Sequence, residues 1–260
     1  MKALVTGASG VVGRAVVAEL GQRGVGVSAW DRQAAPVTDR DAGRRLLDSL
    51  APDLLAHLAV PSKPTGLEHE GRVVTCDWTA WLAEECASRG VRMLFTSTAM
   101  VFTNHAIGPF TVDSEPDETE GYGGEKREAE RLVARANRSA VIARLGWQIG
   151  SGRGGNQMVE HLAATHEREG SVGASTRWLP ACSLLEDTAA ALVGLLLDNS
   201  AEGLYLIDSN RGLNYFEIAT ALNARHGDHW CVQPNEDFVY DQRMIDPRAG
   251  MPSLAERLLD

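Results

Sequence analysis

The chain has 260 residues, of which 44% are hydrophobic and 23% charged, a profile that excludes a disordered or fibrous protein and leaves a globular one with ample core. Lys and Arg number 25 against 35 Asp and Glu, a formal charge of −10, which argues against nucleic acid as the main partner because a duplex-binding face must neutralise phosphates. No apolar run reaches the roughly 18–20 residues that cross a bilayer, so no membrane partner is expected. The N-terminus lacks a signal-peptide pattern and the expected location is cytoplasmic. Cys76, Cys86, Cys182 and Cys231 lack paired spacing and read as reduced, mostly buried thiols.

In chain order, the first strand candidate is Ala3 to Val5. It runs into Thr6-Gly7-Ala8-Ser9-Gly10-Val11-Val12-Gly13, with Gly at the first, fourth and seventh places counted from Gly7, followed by a helix carrying Val12, Val16, Val17 and Leu20 and ending at Arg23-Gly24. Such glycines let a backbone approach a pyrophosphate while the helix aims its unpaired N–H groups at the anion, which marks Gly7, Gly10, Val11, Val12 and Gly13 as dinucleotide ligands. Tight strand-to-helix packing alone is the alternative. A second strand, Val25 to Trp30, leads to Asp31, placed to bind the adenosine ribose hydroxyls and so to favour NAD(H). The adjacent Arg32 would instead pair with the extra phosphate of NADP(H). Asp31 as a mere turn residue stays open.

A helix from Thr38 or Asp41 to just before Pro52, a strand Leu54 to Leu58, a helix Val73 to Ser88 and a strand Met93 to Ser97 continue the βαβ rhythm. Thr98 follows that strand at its C-terminal edge, where open α/β sheets place ligands. Downstream, Tyr122-Gly123-Gly124-Glu125-Lys126 puts a Tyr and a Lys on one face at a helix start. With 4 Tyr and 3 Lys in the chain, random placement gives such a pair about 5% of the time. A Lys ammonium beside a phenol stabilises the phenolate and lowers its pKa, while Thr98 would hold a substrate carbonyl by a hydrogen bond. Hydride delivery then builds charge on the carbonyl oxygen, which Tyr122 quenches with its proton. A solvated helix face for Lys126 and a turn hydroxyl for Thr98 are the alternatives.

A strand Val141 to Leu145 follows, then a glycine-rich loop from Gly150 to Gly155, a returning strand Gly203 to Ile207, a helix Tyr215 to Arg225 and an irregular tail from Pro234. The expectation is an α/β fold: a Rossmann-type doubly wound parallel sheet with a small interleaved C-terminal substrate lobe. The dinucleotide-binding core is assigned to 1–150 and the lobe to 151–260, with about 184–208 returning to the core. His226, His229 and Cys231 are too few for a closed zinc site, so no metal is expected. Trp78 and Trp81, three apart, read as core or interface.

These motifs resemble the extended short-chain dehydrogenase/reductases, the NAD-dependent epimerase/dehydratase superfamily, and within them the dTDP-4-dehydrorhamnose reductase-like group. Thr6 to Gly13 is similar to the family's T-G-x-x-G-x-x-G loop, His57-Leu58-Ala59 to its cofactor-lining strand end, Tyr122 and Lys126 to Y-x-x-x-K, Ser97 to Phe102 to S-T-D-Y-V-F, and Arg144 to Trp147 to R-x-x-W. The resemblance implies a catalytic triad of Thr98, Tyr122 and Lys126; cofactor contacts from Leu58, Ala59, Tyr122 and Lys126; and substrate contacts from Thr98, Met100 and Trp147. It implies an NAD(P)-dependent reductase acting on a keto group, most simply of a nucleotide-linked deoxysugar, and a homodimer is common among such proteins. An epimerase of the same fold and a non-catalytic dinucleotide-binding regulator remain alternatives. Ala99 and Met100 replace the family's Asp-Tyr pair, Pro36 stands where an acidic residue is frequent, and Thr75 stands where Asn is common.

Overall fold

The computed structural model describes residues 1–61 and 65–259. The elements run β1 (Lys2–Thr6), α1 (Val11–Gln22), β2 (Gly26–Ala29), α2 (Arg40–Leu50), β3 (Leu54–His57), α3 (Glu70–Arg72), a π-helical turn (Val73–Asp77), α4 (Trp78–Arg89), β4 (Arg92–Thr98), α5 (Gly121–Ala136), β5 (Val141–Leu145), β6 (Trp147–Ile149), α6 (Met158–Glu169), β7 (Val172–Ser175), β8 (Trp178–Leu179), β9 (Cys182–Leu184), α7 (Leu185–Leu197), β10 (Gly203–Ile207), α8 (Tyr215–Arg225), β11 (Val232–Asn235), β12 (Tyr240–Asp241) and α9 (Leu254–Leu259). A parallel sheet of six strands in the order β10-β5-β4-β3-β1-β2 forms the centre, as the alternation of strand and helix patterns predicts.

Register explains how this sheet is filled. Leu4 lies beside Leu55, Leu55 beside Met93, and His57 beside Phe95. Side chains alternate across a strand, so Leu4, Leu55, Met93 and Phe95 point to one face. There they meet Leu47 of α2, Trp81 and Leu82 of α4, and Val133 of α5 in one buried cluster. Trp30 completes it with edge contacts to Trp78 and Trp81 at centroid separations of 5.4 and 6.2 Å, which makes both tryptophans of α4 core residues.

The chain divides into two compact units. The first comprises Met1–Phe102, Pro116–Arg144 and Leu192–Tyr205, and the second Thr103–Glu115, Leu145–Ala191 and Leu206–Asp260. In the first, Arg92 pins the end of α7 by donating to the carbonyls of Leu195, Leu196 and Ala201. In the second, Asp208 joins three segments by accepting from the backbone N–H groups of Cys182, Asn210 and Met244. The second unit has its own core, built from Met158 and Leu162 of α6, Ile218 and Leu222 of α8, and Leu254 and Leu258 of α9.

Three local expectations change. The second strand is Gly26–Ala29, shorter than Val25 to Trp30, because the Val25 amide caps the preceding helix by donating to the Leu20 carbonyl. The helix expected from Val73 starts at Glu70 and passes through a π-helical turn, a widening that apolar periodicity does not register. The C-terminal tail is ordered by β12 and α9, the latter held through Leu254 and Leu258 at i,i+4 spacing. Tyr215–Arg225 and Gly203–Ile207 fall where the sequence places them, and Asn214 and Glu217 form a capping box on α8.

Candidate active site

The glycine-bearing loop closes on itself between β1 and α1. Gly7 has φ of +69°, and its carbonyl accepts from the Gly10 amide at 2.9 Å. A Cβ on Gly13 would lie 2.0 Å from the Gly7 carbonyl oxygen, and one on Gly7 would lie 2.8 Å from the Ala59 nitrogen. At Gly10 the only near atom would be the Gly7 oxygen at 3.2 Å, so that side of the loop is open. Helix α1 begins there with neither a side-chain cap nor an acidic residue in its first turn. An open, uncapped helix start behind a loop that lacks a Cβ at Gly7, Gly10 and Gly13 fits a dinucleotide pyrophosphate.

Thr6 anchors this loop to the next strand. Its Oγ1 accepts from the backbone N–H groups of Leu58 and Ala59 at 3.2 and 3.3 Å and lies 2.7 Å from Nδ1 of His57. Nε2 of the same ring lies 2.8 Å from Thr79 Oγ1, which in turn donates to the Val74 carbonyl. Thr6 must therefore donate its single proton to Nδ1, and Thr79 must accept from Nε2–H, which fixes one neutral tautomer. Complete burial pushes His57 well below the usual histidine range, with the Lys126 and Arg32 charges acting in the same direction.

Past β2, Asp31 is exposed and its Oδ1 accepts from the Gln33 amide at 2.8 Å. The guanidinium carbon of Arg32 stands 5.5 Å from the Trp78 ring centroid. Arg32, Pro36, Val37, Thr38, Leu67 and Val74 line a groove of about 370 Å³.

At the C-terminal edge of β4, Thr98 is 8% exposed and its Oγ1 accepts from the Met100 amide at 3.1 Å, which leaves its proton to donate. Helix α5 starts hard against this edge. A Cβ on Gly123 would lie 2.0 Å from the Met100 carbonyl oxygen, so a residue without a side chain is needed directly after Tyr122. Tyr122 is 38% exposed, and burial around its hydroxyl pushes it up to about 12. That is opposite to the lowering expected from an adjacent ammonium. Lys126 is fully buried, donates to the Thr96 carbonyl at 2.8 Å, and sits 4.5 Å from the Phe95 centroid and 5.9 Å from that of Tyr122. Burial pushes Lys126 down to about 7, against the opposing pull of Glu130, Cys76 and Glu125. Met100 is exposed. Ser97 Oγ and Thr75 Oγ1 are buried with no hydrogen-bond partner among the described residues.

Trp147 lies in the second unit, within an aromatic cluster. It stacks on Trp178 and Tyr215 at 6.1 and 6.0 Å, with the His161 ring edge-on at 5.1 Å. His226 and His229 both pack on Trp230, and among the described residues no group of three or more His, Cys, Asp or Glu is placed to hold a metal. Nor is any described helix long and apolar enough to cross a membrane. All four cysteines are free, with Cys231 exposed and the others buried.

The sequence from 1 to 248 matches the family described as the RmlD substrate binding domain. The chain belongs to that family. A spore coat polysaccharide biosynthesis protein, SpsK of Bacillus subtilis, is 24% identical over all of this chain and 90% of its own length. A dTDP-4-dehydrorhamnose reductase from Streptomyces griseus is 31% identical over 57% of this chain and 50% of its own. A crystal structure of dTDP-4-dehydrorhamnose reductase from Bacillus anthracis in complex with NADP superposes with a TM-score of 0.82 at 19% identity, over 99% of this chain and 97% of that one. As an RmlD-family chain it bears out the resemblance to the extended short-chain dehydrogenase/reductases, the Rossmann-type fold and the class of NAD(P)-dependent oxidoreductase.

Two features of the site escaped the sequence reading. The His57 ring is tied at both nitrogens, whereas the sequence marks it only as part of a strand end. The Glu130–Arg144 pair joins α5 to β5 by two parallel hydrogen bonds of 2.9 and 2.8 Å, both partners being buried. The signal for it was a Glu four residues beyond Lys126 on the apolar face of α5, which local charge density disguised as a solvated run.

Proposed function

We propose that this chain reduces a keto group of a nucleotide-linked deoxysugar with NADH or NADPH, and that Tyr122 supplies the proton. The observation that carries the reading is the tether of Lys126 to Thr96. It fixes a buried amine one helical turn from Tyr122, on the strand that ends in Thr98.

Gly7, Gly10, Gly13 and the first amides of α1, Val11 and Val12, would hold the pyrophosphate, and Leu58 and Ala59 would line the way to the reactive ring. The Arg32–Val74 groove would take the adenine. Asp31 favours NAD(H) through the ribose hydroxyls, and Arg32 offers the charge for a 2′-phosphate. The cofactor supplies a hydride to the carbonyl carbon when bound.

The chain's own residues handle the oxygen. Thr98 donates a hydrogen bond to the carbonyl, which fixes its orientation and favours charge on oxygen. As the C=O π bond opens, its electron pair settles on that oxygen, which takes the phenolic proton of Tyr122 to give the alcohol. A phenol near 12 keeps its proton at neutral pH and is still a far stronger acid than the alcohol formed when the developing alkoxide takes that proton. The phenolate left behind is stabilised by Lys126 in its ammonium form, and solvent later returns the proton. Met100, exposed beside Thr98, would face the sugar.

The test is oxidation of NADH and of NADPH, measured separately, against a panel of 4-keto-6-deoxy sugar nucleotides, with the product hydroxyl identified by NMR. Turnover of at least one member supports the reading. Cofactor binding with no turnover across the panel contradicts the sugar assignment and favours the regulatory alternative.

A further inference from the structure

The Glu130–Arg144 pair sits where the proposed chemistry has no direct use for it. Glu130 lies one helical turn beyond Lys126 on α5, and both point to the buried face with Gly123, Ala129 and Val133. Residues four apart on a helix are neighbours, with Cβ atoms roughly 5–6 Å apart. The Arg144 guanidinium engages both carboxylate oxygens from β5 and lies 5.2 Å from the Phe102 ring centroid, so the carboxylate is held in one orientation. One Arg144 nitrogen, Nη1, is buried without a partner among the described residues, so the clamp is kept although the cation's hydrogen bonds there are incomplete. Burying an ion pair beside a buried lysine is a poor way to gain stability, since apolar residues of the same volume serve as well.

We propose that Glu130, clamped by Arg144, is a positioning residue that holds Lys126 in its ammonium form beneath Tyr122. This rests on the oxidoreductase reading, because a charged Lys126 matters only if a phenolate must form next to it. The groups facing Lys126 are few. Helix α5 presents Tyr122, Glu125 and Glu130; the π-helical turn presents Cys76; β3 presents the neutral His57; and β4 contributes the Thr96 carbonyl and the Phe95 ring. Of these the anion at Glu130 opposes the effect of burial most strongly. Arg144 acts only through Glu130, by fixing where its charge sits.

The chain has three lysines, Lys2, Lys63 and Lys126, so labelling with [13C,15N]-lysine gives three side-chain Cε signals that can be followed against pH. The signal lost in Lys126→Arg identifies the buried one. In Glu130→Gln its midpoint is expected to fall by about one pH unit or more relative to wild type. In Glu130→Asp, which keeps the anion, it stays near wild type. The doubly substituted Glu130→Leu/Arg144→Met protein removes both charges while filling the space, and there the midpoint falls as in Glu130→Gln. In turnover, the alkaline limb of kcat/KM moves with the NMR midpoint. A wild-type midpoint in both Glu130→Gln and the double variant overturns the proposal and leaves the pair purely structural. The NMR titration needs neither substrate nor cofactor, so its outcome is distinct from a failure of wild type to oxidise NAD(P)H, which would sink the oxidoreductase reading itself.

Discussion

Lys126 donates to the carbonyl oxygen of Thr96 at 2.8 Å, so the amine of one helix is fastened to the strand that ends in Thr98. The fastening places an ionisable amine where water cannot reach it, and burial brings its titration down from 10.5 to about 7.

That placement has a thermodynamic consequence. Between pH 7 and 10.5 the unfolded chain carries a proton on Lys126 that the folded chain sheds, so stability rises with pH through that window, and below it the full desolvation penalty applies. The penalty has an upper bound of about 4–5 kcal/mol, offset by the hydrogen bond to Thr96 and the contact with Phe95. Lys126→Met should therefore stabilise the cofactor-free protein by about 1–3 kcal/mol at pH 7, with the gain shrinking toward pH 10, while abolishing turnover. Urea unfolding at pH 7, 8.5 and 10 checks both the sign and the trend, and a loss of stability at pH 7 contradicts the description of the lysine.

His57 carries a dependence of the same sign, in the acid range. Its folded-state value is lowered well below 6.5, so below pH 6.5 the unfolded chain takes up a proton that the folded ring refuses, and stability falls as pH drops. The expected slope is at most about 1.4 kcal/mol per pH unit from this residue alone. His57→Gln loses stability at pH 7 through the broken Thr6–Thr79 bridge, yet its pH slope between 6.5 and 5 should be shallower than that of wild type. Equal slopes in parallel unfolding titrations would show that His57 does not titrate as described.

The glycine loop separates folding from binding. Gly13→Ala drives a Cβ into the Gly7 carbonyl, a backbone contact that cannot yield, and overpacking of this kind destabilises by about 1–3 kcal/mol. Gly10→Ala meets nothing closer than 3.2 Å and should fold with a near-normal Tm. If the open side of Gly10 is where a pyrophosphate lies, that same change should weaken NADH or NADPH binding at least tenfold. Calorimetric titration with each cofactor checks this, and unchanged affinity in Gly10→Ala would remove the pyrophosphate from this loop.

Much of this site was legible in the sequence because its elements are local. The glycines of the first loop, Asp31 after β2, Thr98 after β4, and Tyr122 with Lys126 all sit beside an element end that periodicity locates within a residue or two. What escaped depends on contacts between distant segments. His57 takes its partners from Thr6 and Thr79, and Glu130 takes its partner from Arg144, so no spacing announces either. The direction of the Tyr122 shift escaped for a different reason. Proximity of a lysine was legible, but its burial was not, and burial raises a phenol and lowers an amine alike toward neutrality. The short strands of the second unit, two to four residues each, lie below the length at which alternation can be recognised.

The central claim is that Tyr122 gives its proton to a substrate oxygen. Single-turnover oxidation of bound NADH or NADPH by a 4-keto-6-deoxy sugar nucleotide, compared between wild type and Tyr122→Phe, tests it most directly. Removing only the hydroxyl should slow the chemical step by about 10²–10⁴-fold while leaving cofactor affinity within a fewfold. A Tyr122→Phe protein that turns over within a fewfold of wild type would contradict the assignment of Tyr122 as the acid.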